Sequence, residues 1–409
     1  MRTRAAVTAC LLFLMPLLAS AGETPLELSG YGEINYWRFD FGPDQKSHPD
    51  GSAPDNRALI DVTRLALEFE AELLPGLELE AEVEFEHGGT GGALELEYEE
   101  FGEYEQEVEK GGEVVLEELY VKRSFGDNLS VSAGHFYVAV GLLSSLYHPL
   151  DFYGTVRSEA ETSMIPALWH ETGIEASGRI RRWRWRLQVI NGLDATGFSS
   201  QSWVVGGHQL RFEQVRADGL ALAGRVDYGP VRGALLGVSL YRGDSAANRP
   251  KPDMKGTSAN VTISDIHAHF TGRRLRARGL FLYGQLENAA AVSARNRTLS
   301  NNLDVLRSPV GSAANALYLE AGYDILPWLA ARPGERLDLF VRYDDYDTMA
   351  EVPDGFFDNP RFDRRVYTVG FNYAVEGKVV VKADYAMRRL GAARFNDENT
   401  LGLALGFQF

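Results

Sequence analysis

Cysteine is almost absent. The 409 residues contain one, Cys10, and it lies in a segment that reads as an export leader. Arg2 and Arg4 supply a positive start, Ala5 to Leu18 is almost wholly apolar, and Ala19-Ser20-Ala21 gives a small-x-small cleavage pattern. Cys10 precedes most of the apolar run, so it does not sit where a lipoprotein box would. Cleavage after Ala21 leaves a cysteine-free chain, 22–409, which excludes a disulfide scaffold and thiolate chemistry. Long apolar runs are missing as well. Mean hydropathy is −0.21, and no stretch after the leader reaches the roughly 20 apolar residues of a membrane helix. Enzyme motifs are equally scarce. There is no G-x-S-x-G elbow and no Walker loop, and His170-Glu171 lacks the second histidine of H-E-x-x-H. Ser264 and His267 fall on opposite faces of one strand, which disfavours a surface hydrolase site. No cofactor or metal site is expected, and no basic stripe suggests nucleic acid.

Charge is present but confined. The window Leu65 to Val121 holds 19 Glu and no Asp against one Lys. Its net of −18 equals that of the whole mature chain, so the remainder balances. The chain is neutral apart from one acidic sector.

That sector alternates. Leu77, Leu79, Ala81, Val83 and Phe85 interleave with Glu78, Glu80, Glu82, Glu84 and Glu86. Before the Pro75-Gly76 turn, Leu65, Leu67, Phe69, Ala71 and Leu73 interleave with Glu68, Glu70 and Glu72. A period of two means a strand whose faces meet different surroundings. A helix would place glutamate on every side and leave no apolar stripe to bury. The same alternation ends the chain at Leu401, Leu403, Leu405, Phe407 and Phe409.

Sixteen strands are expected: 25–39, 58–73, 77–87, 113–124, 129–138, 169–181, 184–191, 219–228, 231–242, 262–271, 274–286, 314–325, 335–346, 365–374, 378–389 and 399–409. Fourteen or eighteen would also keep the even count. Short turns such as Gly229-Pro230 and Glu376-Gly377 alternate with long polar loops such as 139–168. This asymmetry, with aromatics such as Trp183, Tyr228, Trp328 and Tyr343 near strand ends, predicts an all-β transmembrane antiparallel barrel in the bacterial outer membrane. A sandwich would share the alternation but not the leader and loop pattern.

Apolar-out parity then predicts the interior. Glu68, Glu70, Glu72, Glu78, Glu80, Glu82, Glu84 and Glu86 form an acidic wall. Arg179, Arg181, Arg184, Arg186, Lys382 and Arg388 form basic patches. The third long loop carries Asp151, Arg157, Glu159 and Glu161 among apolar anchors such as Leu142, Phe152 and Met164. That composition suits packing on the inner wall as a constriction. Arg276 and Arg278 lie on a strand of ambiguous parity.

The stretch Asn128 to Val138, with Gly134, Phe136 and Gly141, leads into a loop ending Met164-Ile165-Pro166-Ala167-Leu168-Trp169-His170. It resembles the phosphate-selective porin O and P family, although Ala139 stands where that family carries Pro. Asp218 to Tyr228 and Gly237 to Tyr241 are similar to it too. The resemblance implies a sixteen-stranded, homotrimeric diffusion channel with an inward third loop. Phe407 and Phe409 look like the terminal signal read by the barrel assembly machinery. The expected partners are outer-membrane lipid, that machinery, and small hydrophilic solutes or ions. The leading expectation is passive diffusion, the alternatives being an anion or phosphate channel and an outer-membrane hydrolase.

Overall fold

The computed structural model describes residues 26–42, 56–91, 95–97, 105–107, 112–126, 128–209, 215–248, 252–299, 307–329, 332–392 and 397–409. Residues 1–21, the expected leader, lie outside them. Sixteen antiparallel strands close into a barrel. They are β1 (Leu26–Asp40), β2 (Ala58–Leu74), β3 (Leu77–Gly91), β4 (Gly112–Ser124), β5 (Leu129–Tyr137), β6 (His170–Ile180), β7 (Trp183–Asn191) and β8 (Leu220–Tyr228), followed by β9 (Ala234–Asp244), β10 (Asn260–Thr271), β11 (Leu275–Leu286), β12 (Ala313–Asp324), β13 (Glu335–Glu351), β14 (Asp363–Val375), β15 (Val379–Leu390) and β16 (Glu398–Gln408). A small ribbon, Glu95–Glu97 with Glu105–Glu107, lies between β3 and β4.

The alternation decides which way each side chain points. On β9, Leu236, Val238 and Leu240 are about half exposed, whereas Gly237, Ser239 and Tyr241, which alternate with them, are buried. Apolar residues standing in the open on strand after strand form the belt that a spanning barrel presents to hydrocarbon. Trp183 against Tyr228, and Tyr323 against Trp328, pack as ring pairs where strands meet short turns. In one such turn Glu376 and Gly377 both adopt positive φ, 51° and 65°, the conformation a two-residue hairpin needs to match strand twist.

The barrel closes where β1 pairs β16, with Gly32 opposite Phe407. The glycines are seats for the terminal aromatics. A Cβ on Gly30 would lie 2.8 Å from the Phe409 ring, and one on Gly32 would lie 2.6 Å from the Phe407 ring.

Two local features shape the interior. β3 and β4 shift register between Glu82–Glu118 and Val83–Leu116. The extra residue is Glu117, and the bulge turns both Glu117 and Glu118 toward the side occupied by Tyr137. The second feature is a continuous apolar core inside the barrel at the end where the long loops leave. Inward Ile190, Ala221, Tyr241, Ile263, Leu282 and Ala316 meet Leu193, Phe198, Trp203, Met254 and Val292 from the fourth (192–219), fifth (245–259) and sixth (287–312) loops. This settles the parity of β11. Arg276 and Arg278 point inward, as do Leu280 and Leu282, which the loops cover. From Leu280 onward both faces are apolar, because the loops cover the inner one and the outer one, with Phe281 about half exposed, belongs to the belt.

Candidate functional site

The third loop, residues 138–169, runs across the barrel and is tied to its wall at many points. Near its start the Ala139 amide donates to Gln188 Oε1 on β7 (2.8 Å). The Gly141 amide donates to Asp265 Oδ2 on β10 (2.9 Å), while the Gly141 carbonyl accepts from Arg225 on β8 (2.7 Å). At its middle His148 stacks on Tyr31 of β1 and bonds Glu68 of β2 at 3.0 Å. Further on, Arg276 of β11 reaches Tyr153 Oη (3.0 Å), and Asn372 of β14 donates to the Phe152 carbonyl (3.2 Å). Arg342 of β13 donates to the Val156 carbonyl (2.9 Å), and the Thr155 amide donates to Asp384 of β15 (2.5 Å). Many inward cations therefore hold loop carbonyls. This satisfies backbone that would otherwise be buried without partners.

The four loop residues expected at a constriction play different parts. The Asp151 carbonyl accepts from Arg278. Arg157 is buried, donates to the Tyr147 carbonyl (2.9 Å) and lies 5.4 Å from the Phe152 ring centre. Glu159 is gripped by Arg388 of β15 and accepts from Tyr346 (2.9 Å). Burial alone would raise its carboxyl, but the Arg388 charge and these bonds hold it down at about 2. Glu161 is fully buried and accepts from the amides of Leu142 (2.6 Å) and Leu143 (2.9 Å). Burial pushes it up to about 7 against those two bonds. His148 is raised above its ordinary value because its bond to Glu68 outweighs burial.

The eight glutamates expected on one wall are on the inner face of β2 and β3, but they divide into two groups. Glu82 and Glu84 are 2% and 0% exposed. Glu82 accepts from Tyr31 (2.7 Å) and Tyr137 (3.1 Å), and Glu84 pairs with Arg64 (3.1 Å). Glu70 and Glu72 are exposed, and Glu78 and Glu80 are partly so, with Lys122 3.0 Å from each of the latter. Glu68 takes the His148 bond, and Glu86 stands opposite Arg64 across the β2–β3 ladder. Oxygens of Glu70, Glu78 and Glu80 lie within 4.8 Å of one another. Like charges so close favour an aqueous setting in which they stay solvated.

The basic residues divide in the same way. Arg179 and Arg184 face each other across the β6–β7 hairpin and are exposed. Arg186 pairs with Glu175 (2.7 Å). These arginines and Arg225 line a cavity of about 380 Å³ with Ser130, Ser145 and Ser177. Lys382 is fully buried, 3.4 Å from Glu33 and 3.6 Å from the Phe152 ring centre. Arg181 departs from the inward expectation. It occupies the β6–β7 turn with φ 58°, where the chain reverses and strand parity no longer applies.

Alternation did not single out Glu33, Arg64, Glu117 or Glu118, nor the tyrosines beneath the loop. The adjacent pair Glu117-Glu118 was the available clue, since two like residues in a row break a period of two. One serine, aspartate and histidine do meet on the inner face. There Ser239 and His267 both bond Asp265, the imidazole at 2.6 Å. The carboxylate lies between them, so the imidazole does not touch the hydroxyl it would have to activate.

Comparison with known proteins places this geometry. An anion-selective porin from Comamonas acidovorans superposes with a TM-score of 0.56 at 11% identity, covering 95% of this chain and 100% of that one. The outer-membrane channel DcaP of Acinetobacter baumannii gives 0.55 at 12% identity, covering 97% and 100%. OmpF of Salmonella typhi, in complex with daunomycin, gives 0.56 at 11% identity, covering 94% and 98%. The fold is that of the outer-membrane porins. Together with the apolar belt it places the barrel in the bacterial outer membrane. By sequence, an uncharacterized protein of Aquifex aeolicus (strain VF5) is 24% identical over 374 residues, 91% of this chain and 78% of that one. No family model matches the chain.

Proposed function

We propose that the protein is a passive outer-membrane channel for small hydrophilic solutes or ions, with the third loop as its constriction. One observation carries the reading: charged side chains stay exposed to water on the inner side of a closed apolar-belted barrel. Glu70, Glu72, Glu78 and Glu80 form one such strip, and Arg179 and Arg184 form another three strands further round. An acidic strip beside a basic one makes a local field that favours dipolar solutes and disfavours apolar ones. Purified folded protein in a planar bilayer under asymmetric salt should give long-lived ohmic conductance. Folded protein that never conducts refutes the reading.

A second reading, an anion-preferring channel like the phosphate-selective porins, is favoured by the arginine-lined cavity at Arg179, Arg184, Arg186 and Arg225. A reversal potential indicating cation preference eliminates it. The resemblance also supports a homotrimer, which sedimentation in detergent tests. Removal of residues 1–21 on export is part of the same proposal, and mature protein beginning elsewhere than Gly22 contradicts it. Recognition of Phe407 and Phe409 by the assembly machinery completes it.

A further inference from the structure

Three of the eight histidines gather beside the points where the third loop leaves and rejoins the wall. His135 on β5 lies opposite Thr172 on β6. Their neighbours Ala133 and Ile174, also opposite each other, are exposed on the apolar side of the wall. His135 and His170 therefore belong to the outer surface, yet each is only 2% exposed. The fourth loop covers them, and it brings His208.

His135 and His208 are each held through one ring nitrogen, and the other nitrogen of His135 bonds His170. His135 Nδ1 bonds Thr172 Oγ1 at 2.9 Å, which leaves Nε2 facing His170 Nδ1 at 2.5 Å. His208 Nε2 donates to the His170 carbonyl at 2.8 Å, leaving Nδ1 as its lone-pair nitrogen. An imidazole that donates through one nitrogen to a carbonyl presents the other as a lone pair, as metal-ligating histidines do, and the Thr172 hydroxyl can accept from His135 Nδ1 to give the same arrangement there. Ring centres lie 4.7 Å apart for His135–His170 and 4.6 Å for His170–His208.

We propose that His135 Nε2, His170 Nδ1 and His208 Nδ1 form a binding site for a borderline divalent transition ion, Zn²⁺ foremost, on the outer face of the barrel under the fourth loop. Three neutral imidazoles suit such an ion and leave a fourth position for water. The proton shared by His135 and His170 moves to His170 Nε2, and the two donor nitrogens separate to about 3.3 Å, the span across a tetrahedral ion with bonds of about 2.0 Å. As they stand, the three donor nitrogens are not all within 4.8 Å of one another. His208 must therefore close on the pair, so the ion ties the fourth loop to the wall between β5 and β6. This site is independent of the channel reading.

The test uses the full chain, folded in detergent and stripped with chelator. Titration with Zn²⁺ against a chromophoric chelator should give one ion per chain. His135→Gln and His170→Gln should each weaken binding by 100-fold or more, and His208→Gln by at least tenfold, while His269→Gln changes nothing. Stoichiometric Co²⁺ should give visible d–d absorption typical of a nitrogen-rich tetrahedral site, and Zn²⁺ should slow proteolysis within 192–219. Equal affinity in the wild type and the His135→Gln/His170→Gln double variant overturns the site. Should those variants not fold, absence of the Co²⁺ bands in wild type overturns it alone.

Discussion

Arg388 of β15 grips Glu159 of the third loop through one edge of its guanidinium, Nε to Oε2 at 2.9 Å and Nη2 to Oε1 at 2.5 Å. The two residues are 229 positions apart, and each is only about one-fifth exposed. Glu159→Gln should cost roughly 2 kcal/mol, since it weakens a largely desolvated, two-point pair without removing the side chain. Urea unfolding of the refolded barrel measures this, and open-channel noise should rise as the loop loosens. The depressed Glu159 carboxyl sets the pH window. Its contribution is present in full above the ordinary carboxylate value of about 4.3 and is lost as pH falls through about 2.

Glu161 works in the opposite direction. Its carboxyl is raised to about 7, so its contribution is complete below about 4.3 and disappears as pH rises through about 7. The loop should be held more tightly at pH 5 than at pH 8. Hydrogen exchange at the Leu142 and Leu143 amides, corrected for intrinsic rates, reads this directly. Glu161→Gln should flatten the dependence, and faster corrected exchange at pH 5 contradicts the assignment.

The acidic wall should split in its effects. Gln at Glu70 and Glu78 should move the reversal potential toward anions and leave folding intact, because these side chains meet water. Gln at Glu82 should leave selectivity nearly unchanged and lower stability by roughly 1–3 kcal/mol, since its bonds to Tyr31 and Tyr137 are buried. Equal selectivity shifts from both sets would mean that the conducting path runs beneath the third loop.

The seam between the first and last strands is tightly fitted. Gly32→Val should displace the Phe407 ring and reduce the heat-modifiable, folded fraction on gels. Phe407→Ala in the same chain should restore part of it by vacating the space. No restoration would show that the glycine serves the backbone rather than the ring.

Much of the fold was legible because one physical rule governs it. A wall between oil and water imposes a period of two, and all sixteen expected strands exist with ends close to those read from sequence. The main shortfall is β13, which continues to Glu351 past the expected 346. Thr348 there donates to the Ser200 carbonyl of the fourth loop, a partner that no local pattern announces. Alternation also gave the inward side of Glu68 to Glu86. It could not tell which of them water reaches, because that depends on where a loop remote in sequence lies. For the same reason Lys382, read as lining open water, is buried against Phe152 and Glu33, and the β4 bulge at Glu117 was unforeseen.

The third loop is fastened to strands on every side of the barrel, from Tyr31 and Glu68 round to Asp384 and Arg388. It acts as spokes do in a rim, holding a thin hoop against being flattened by lateral membrane pressure. On the channel reading, the bore is therefore fixed when the chain folds. Its size limit would belong to the gaps between spokes, and widening it would mean cutting one.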